Sequence, residues 1–158
     1  IMKQPASTPR LRKDFLSVLS FDPSDGAWSY IGTDNTGIPL HAATLNLGWV
    51  DEAVVLHEFG HMIGLAHEHQ NPAGGIQWNE AVVIRELAKS PNFWDEATAR
   101  HNVLRKYTAD QVNGTRFDPD SIMLYFFPAE WTLNGVATKA NEPSASSVAL
   151  GPRANTRR

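Results

Sequence analysis

His57-Glu58-Phe59-Gly60-His61-Met62-Ile63-Gly64-Leu65-Ala66-His67 puts three imidazoles, one carboxylate and two glycines into eleven residues. Residues four apart share a helix face, so His57 and His61 can offer nitrogens to one point in space. Glu58 stands one residue on, off the row of ligands but within reach of whatever they hold. In a continuing helix His67 would sit roughly 240° and about 9 Å from His61, and could not join them. The helix has to stop. Gly64 is the residue that can stop it, because glycine accepts positive φ at a helix C-terminus. Past that turn the chain can bring His67 back.

Three neutral imidazoles with an open fourth position describe a catalytic zinc site. A structural zinc site usually closes with cysteine, and the chain has none. The competing reading is a surface helix with scattered histidines. Five-residue matches of the H-E-x-x-H kind do arise by chance, but the added Gly64 and His67 make coincidence far rarer.

The 158 residues suffice for a single domain with a real core, taken as 1–158. No apolar run reaches membrane-spanning length. The first residue is Ile1, which reads as a processed or trimmed form, and no signal peptide is visible. The net charge of −3 hides an uneven distribution. Residues 1–13 and 139–158 are basic, while residues 14–138 carry six basic against sixteen acidic groups. An acidic body suits a soluble secreted protein and disfavours nucleic acid as a partner. The basic ends read as flexible, solvated termini rather than docking tails.

Around the motif the chain alternates short apolar runs with turns. Residues 15–21, 28–31 and 43–47 read as strands separated by Asp-Pro-Ser-Asp-Gly and glycine-rich loops. Residues 51–63 read as a helix, favoured at its start by Asp51 and Glu52. That helix is apolar nearly all round and is expected to be buried. Residues 79–88 read as a helix capped by Asn79, and a further helical piece runs over residues 95–107. Its stripe comprises Trp94, Ala99, Val103 and Leu104. The sum is an α+β fold: a small twisted sheet, a buried active-site helix, and an irregular, helical second lobe after Gly64.

Ser121-Ile122-Met123-Leu124-Tyr125 is an ordinary apolar pentapeptide on its own. Beside the histidine motif it resembles the Met-turn of metzincins, whose zinc motif has the H-E-x-x-H-x-x-G-x-x-H form. There a methionine thioether packs beneath the three imidazoles and orients them. Tyr125, two residues past Met123, matches the tyrosine of astacins and serralysins. Glu68 directly follows the third histidine, as in astacins. Gly26-Ala27-Trp28-Ser29-Tyr30-Ile31-Gly32 is similar to the family's tryptophan-containing strand, and Thr44-Leu45-Asn46-Leu47-Gly48 to the edge strand that aligns substrate. The resemblance covers roughly residues 20–130. It departs from true astacins in lacking cysteine, in lacking an upstream strand and backing helix, and in its closing residues, so the chain reads as a cysteine-free microbial-type relative truncated or replaced at both ends.

The resemblance implies an astacin-like metzincin with one catalytic Zn2+ held by His57, His61 and His67, and Tyr125 as a possible fourth protein ligand. It implies a zinc-activated water, Glu58 as general base, and Tyr125 with zinc stabilising the oxyanion. Met123, Gly64 and Glu68 would support the ligands from behind. Phe126, Phe127 and Pro128 would either shape the pocket for the residue after the scissile bond or serve packing alone. The implied protein is a secreted, monomeric endopeptidase acting on proteins or peptides, with neither nucleic acid nor membrane as partner. Two other readings compete: a non-catalytic zinc module that holds peptides, and a zinc hydrolase of another amide or ester. Asn113-Gly114-Thr115 fits a glycosylation sequon and equally a turn. Asp22, Asp25, Asp118 and Asp120 flank prolines and read as turns rather than a calcium site. His41, His69 and His101 read as non-ligands.

Overall fold

The computed structural model describes residues 17–112 and 116–139. The sequon at Asn113, the first two residues of the 15–21 run, and the ends other than Lys139 lie outside the described residues.

Three short strands form one sheet: β1 (Leu19–Ser20), β2 (Trp28–Ser29) and β3 (Leu45–Asn46). Their order is β1-β3-β2, with β1 parallel and β2 antiparallel to β3. Each is shorter than the run that announced it, with backbone bonds from the Tyr30 N–H to the Thr44 carbonyl at 2.9 Å and from the Leu47 N–H to the Ser20 carbonyl at 3.0 Å just beyond the named residues. Asn46, fully buried, is the hub. Its amide oxygen accepts from Ser20 Oγ at 2.6 Å and from the Asp22 N–H at 2.9 Å, and its Nδ2 donates to the Asp22 carbonyl at 2.9 Å and to that of Gly26.

This order corrects one expectation. Residues 44–47 are not at an edge: β3 is the middle strand, paired on both sides. Among the described residues β2 ends the strand order on one side and β1 on the other. The chain leaving β2 turns through Gly32–Gly37 and crosses the end of the histidine-bearing helix, where a Cβ on Gly32 would lie 3.2 Å from Gly64 Cα.

Helix α1 (Glu52–Met62) begins at Asp51, whose carboxylate accepts from the Val54 N–H at 2.9 Å. This satisfies one of the donors a helix start leaves unpaired. Its burial is one-sided. His57, Glu58, Gly60 and His61 are buried, while Leu56, Phe59 and Ile63 remain 52%, 40% and 72% exposed. Their spacing along the helix puts these three on one stripe. Apolar content therefore misjudged the face: the packed face is the one that carries the polar motif, and nothing among the described residues covers the apolar one.

After Gly64 the second lobe is built from a 3-10 turn (Glu68–Gln70), α2 (Glu80–Leu87), α3 (Glu96–Ala99) and a π-helical turn (Arg100–Leu104). Val83, Leu87, Trp94, Ala99, Val103 and Phe127 make its core. Asp95 caps α3 by accepting from the Thr98 N–H at 2.8 Å. Asn79 precedes α2, but its side chain makes no capping bond. The helical piece ends at Leu104, short of residue 107. No helix among the described residues is long and apolar enough to cross a membrane.

Candidate metal centre

The end of α1 builds the site. Gly64 takes φ 105°. Its N–H donates to the His61 carbonyl at 2.9 Å, and the Leu65 N–H donates to that of Gly60 at 2.9 Å. These two bonds are a Schellman motif, which closes the helix and reverses the chain. The Leu65 carbonyl then faces back and accepts from His61 Nδ1 at 2.8 Å. His57 Nδ1 donates in the same way to the Ile122 carbonyl, at 2.9 Å. Both rings therefore carry their proton on Nδ1 and turn a bare Nε2 inward.

His67 completes the group. Its Nε2 is 3.1 Å from His61 Nε2 and 2.8 Å from the Tyr125 hydroxyl. The three histidines offer nitrogens that all lie within 4.8 Å of one another. All three are buried. Burial is the main reason their pKa values fall: His61 to about 3, helped by His57, with His57 lowered and His67 well below the ordinary range. Neutral imidazoles are the form that binds metal. Glu58 is buried beside them, and desolvation raises its carboxyl to about 8.

Zinc fits this set. His57 Nε2 and Glu58 Oε2 are buried with no hydrogen-bond partner, an expensive condition unless a cation or its water satisfies them. Zn–N bonds of about 2.0–2.1 Å in a tetrahedron put nitrogens roughly 3.3 Å apart, close to the His61–His67 separation.

The 121–125 segment closes the site from below. Met123 is buried, and a Cβ on Gly60 would come within 2.5 Å of its sulfur. The thioether therefore lies against α1 between the two helical histidines, where only a glycine leaves room. Glu68 ties the segment down: its N–H donates to the Met123 carbonyl at 2.9 Å, and its Oε1 accepts from the Asp118 N–H and Asn71 Nδ2, each at 2.9 Å. Tyr125 stacks on His57 with centroids 5.1 Å apart and planes at 20°. Desolvation, then Glu58, raise its phenol well above the usual range.

Phe127 is fully buried in the second-lobe core, so it packs rather than lines a pocket; Phe126 and Pro128 are half-buried. Asp22, Asp118 and Asp120 act in turns. Asp22 accepts from Ser24, Asp118 accepts from the Asp120 N–H, and Asp120 pairs with Lys139. Asp25 accepts from the Trp28 indole N–H at 2.8 Å. Among the described residues the histidine trio is the one group placed to hold a metal. His41 and His101 lie outside it. His69, also set aside on sequence, is fully buried against His67 and Tyr125. The signal was its spacing, two residues past a ligand in a short turn, which the search for ligands had no reason to weigh.

Known proteins resemble the chain in sequence and fold. The family model described as Astacin, a peptidase family, matches residues 9–156. Zinc metalloproteinase nas-13 of Caenorhabditis elegans is 26% identical over 141 residues, 88% of this chain and 28% of that protein. Tolloid-like protein 1 of Mus musculus is 32% identical over 120 residues, 75% of this chain and 10% of that one. A solved structure of myroilysin superimposes with a TM-score of 0.75 at 32% identity, covering 81% of this chain and 66% of the other. The chain thus spans less than two thirds of each of these relatives.

Proposed function

The chain belongs to the astacin family of peptidases, and on that premise we propose that it is a zinc-dependent endopeptidase acting on protein or peptide substrates. One observation carries the reading. Two imidazoles and a buried carboxylate with an unpartnered oxygen on the last turns of α1 meet a third imidazole, His67, which the turn at Gly64 brings back to them.

Zinc held by His57, His61 and His67 would polarise the scissile carbonyl and acidify the attacking water. Glu58 takes that water's proton and passes it to the leaving amine. Burial, which raises its carboxyl, favours the protonated form that delivers the proton to the leaving amine. Tyr125 keeps its phenolic proton for the same reason of burial. A neutral phenol is a donor, so it can hydrogen-bond the oxyanion as negative charge develops. Met123, Gly64 and Glu68 position these groups. Residues 44–47 do not serve as the edge that aligns substrate, because β3 is paired on both sides.

Residues 1–158 act as one catalytic domain, as a monomer. In keeping with the family, its place of action is outside the cell. A module that only holds peptides gains nothing from burying Glu58 without a partner, so the non-catalytic reading is not favoured. The deciding experiment incubates the zinc-loaded protein with an unfolded polypeptide and identifies new termini. Cuts inside the chain are expected. Retention of intact polypeptide on the protein without cuts would support the binding module instead.

A further inference from the structure

His69 has no part in the chemistry above, yet it sits at the centre of the packing behind it. Its ring stacks on His67 at 5.0 Å and 29°, and on Tyr125 at 5.4 Å and 29°. On its other flank Phe127 meets it edge-on at 5.0 Å and 71°. The imidazole thus joins the second-lobe core to one metal ligand and to the phenol. Such ring pairs add directional preference to plain burial.

The ring is also pinned in its own plane. His69 Nε2 donates to the Asn102 carbonyl at 3.0 Å. Asn102 lies in the π-helical turn, near the end of its helix, where carbonyls lack helical partners. Gln70 takes two more of them, donating from Nε2 to the His101 carbonyl at 2.8 Å and the Arg105 carbonyl at 3.0 Å. The Gln70 carbonyl in turn accepts from the Tyr107 N–H at 2.9 Å. Residues 69 and 70 therefore cap that helix while residue 67 faces the metal. A phenylalanine at 69 would stack but leave the Asn102 carbonyl buried and unpaired. A glutamine would reach the carbonyl but not stack. Histidine does both.

We propose that His69 is a positioning residue: anchored on Asn102, its ring fixes the Tyr125 phenol against His67 and so places the hydroxyl for the transition state. The inference rests on the Tyr125 role proposed above.

A double-mutant cycle on the zinc-loaded protein tests it, comparing His69→Leu, His69→Phe and Tyr125→Phe, alone and combined. His69→Leu removes the stack and the bond. His69→Phe keeps the ring and fills the core, and it decides the matter where the leucine variant does not fold. The single His69 variants should keep one zinc per chain and KM within about twofold of the parent. They should lower kcat by roughly tenfold for leucine and at least about threefold for phenylalanine. In the Tyr125→Phe background neither should lower kcat further. A phosphinic peptide, whose tetrahedral anion imitates the transition state, should bind more weakly to the His69 variants by a similar factor, again without adding to Tyr125→Phe. Losses that add fully to Tyr125→Phe, or inhibitor binding unchanged in the His69 variants, overturn the proposal. If Tyr125→Phe turns over like the parent, the Tyr125 role itself fails and takes this inference with it. If Tyr125→Phe is slow and the His69 variants match the parent, only the inference fails.

Discussion

The Tyr125 hydroxyl lies 2.8 Å from His67 Nε2, the nitrogen that faces the other two ligands. A phenol so placed is within a small movement of the metal, or of an oxyanion formed beside it. Its interaction should strengthen as charge develops, which lowers kcat more than it raises KM when removed. Tyr125→Phe should keep zinc and lose roughly tenfold or more in kcat. Steady-state kinetics with metal analysis checks this. Parent-like turnover would leave Tyr125 with only a packing role.

Glu58→Gln separates the base from the ligands. The amide is nearly the same shape but cannot take a proton. Zinc content should stay at one per chain, and turnover should fall by at least about a hundredfold. Near-normal turnover would remove Glu58 from its role, and lost zinc would make it structural.

Gly64 supports the site through its backbone. At φ 105° any side chain is strained, so Gly64→Ala should cost about 1–3 kcal/mol. It should also loosen the Leu65 carbonyl from His61 Nδ1 and weaken zinc binding. Denaturant unfolding and competitive zinc titration read the two effects. A variant as stable as the parent would show that the turn does not need glycine.

The contact of Gly60 with Met123 gives a test of close packing. Alanine gains about 1 kcal/mol of helix propensity. Its methyl would meet a buried sulfur, an overpacking that costs about 1–3 kcal/mol. Gly60→Ala should therefore lose up to about 2 kcal/mol in metal-free unfolding, and Met123→Ala should cost less in the Gly60→Ala background than in the parent. A stabilised Gly60→Ala would show that the thioether yields freely.

The parts of this site that sequence reveals are the local ones. Spacing by four puts His57 and His61 on one face, and a helix that must end before His67 points to Gly64. Both follow from backbone geometry within eleven residues. The sheet order did not follow, because the pairing of residue 45 with both 19 and 29 is set by distant chain segments. The exposed face of α1 was misread for a related reason. Hydrophobic content says that Leu56, Phe59 and Ile63 can be buried, not that a neighbour is there to bury them. His69 was missed because its role depends on Asn102 and Tyr125, 33 and 56 positions away, which no local pattern connects.

The central claim is that one zinc, held by His57, His61 and His67, makes this chain a peptidase. Stripping the metal with a chelator and returning zinc in measured equivalents, while following cleavage of an unfolded protein, tests it most directly. Cleavage should vanish on stripping, return in proportion to added zinc, and level off at one equivalent per chain. Undiminished cleavage by the metal-free protein, or no cleavage once a full equivalent is bound, would contradict the account.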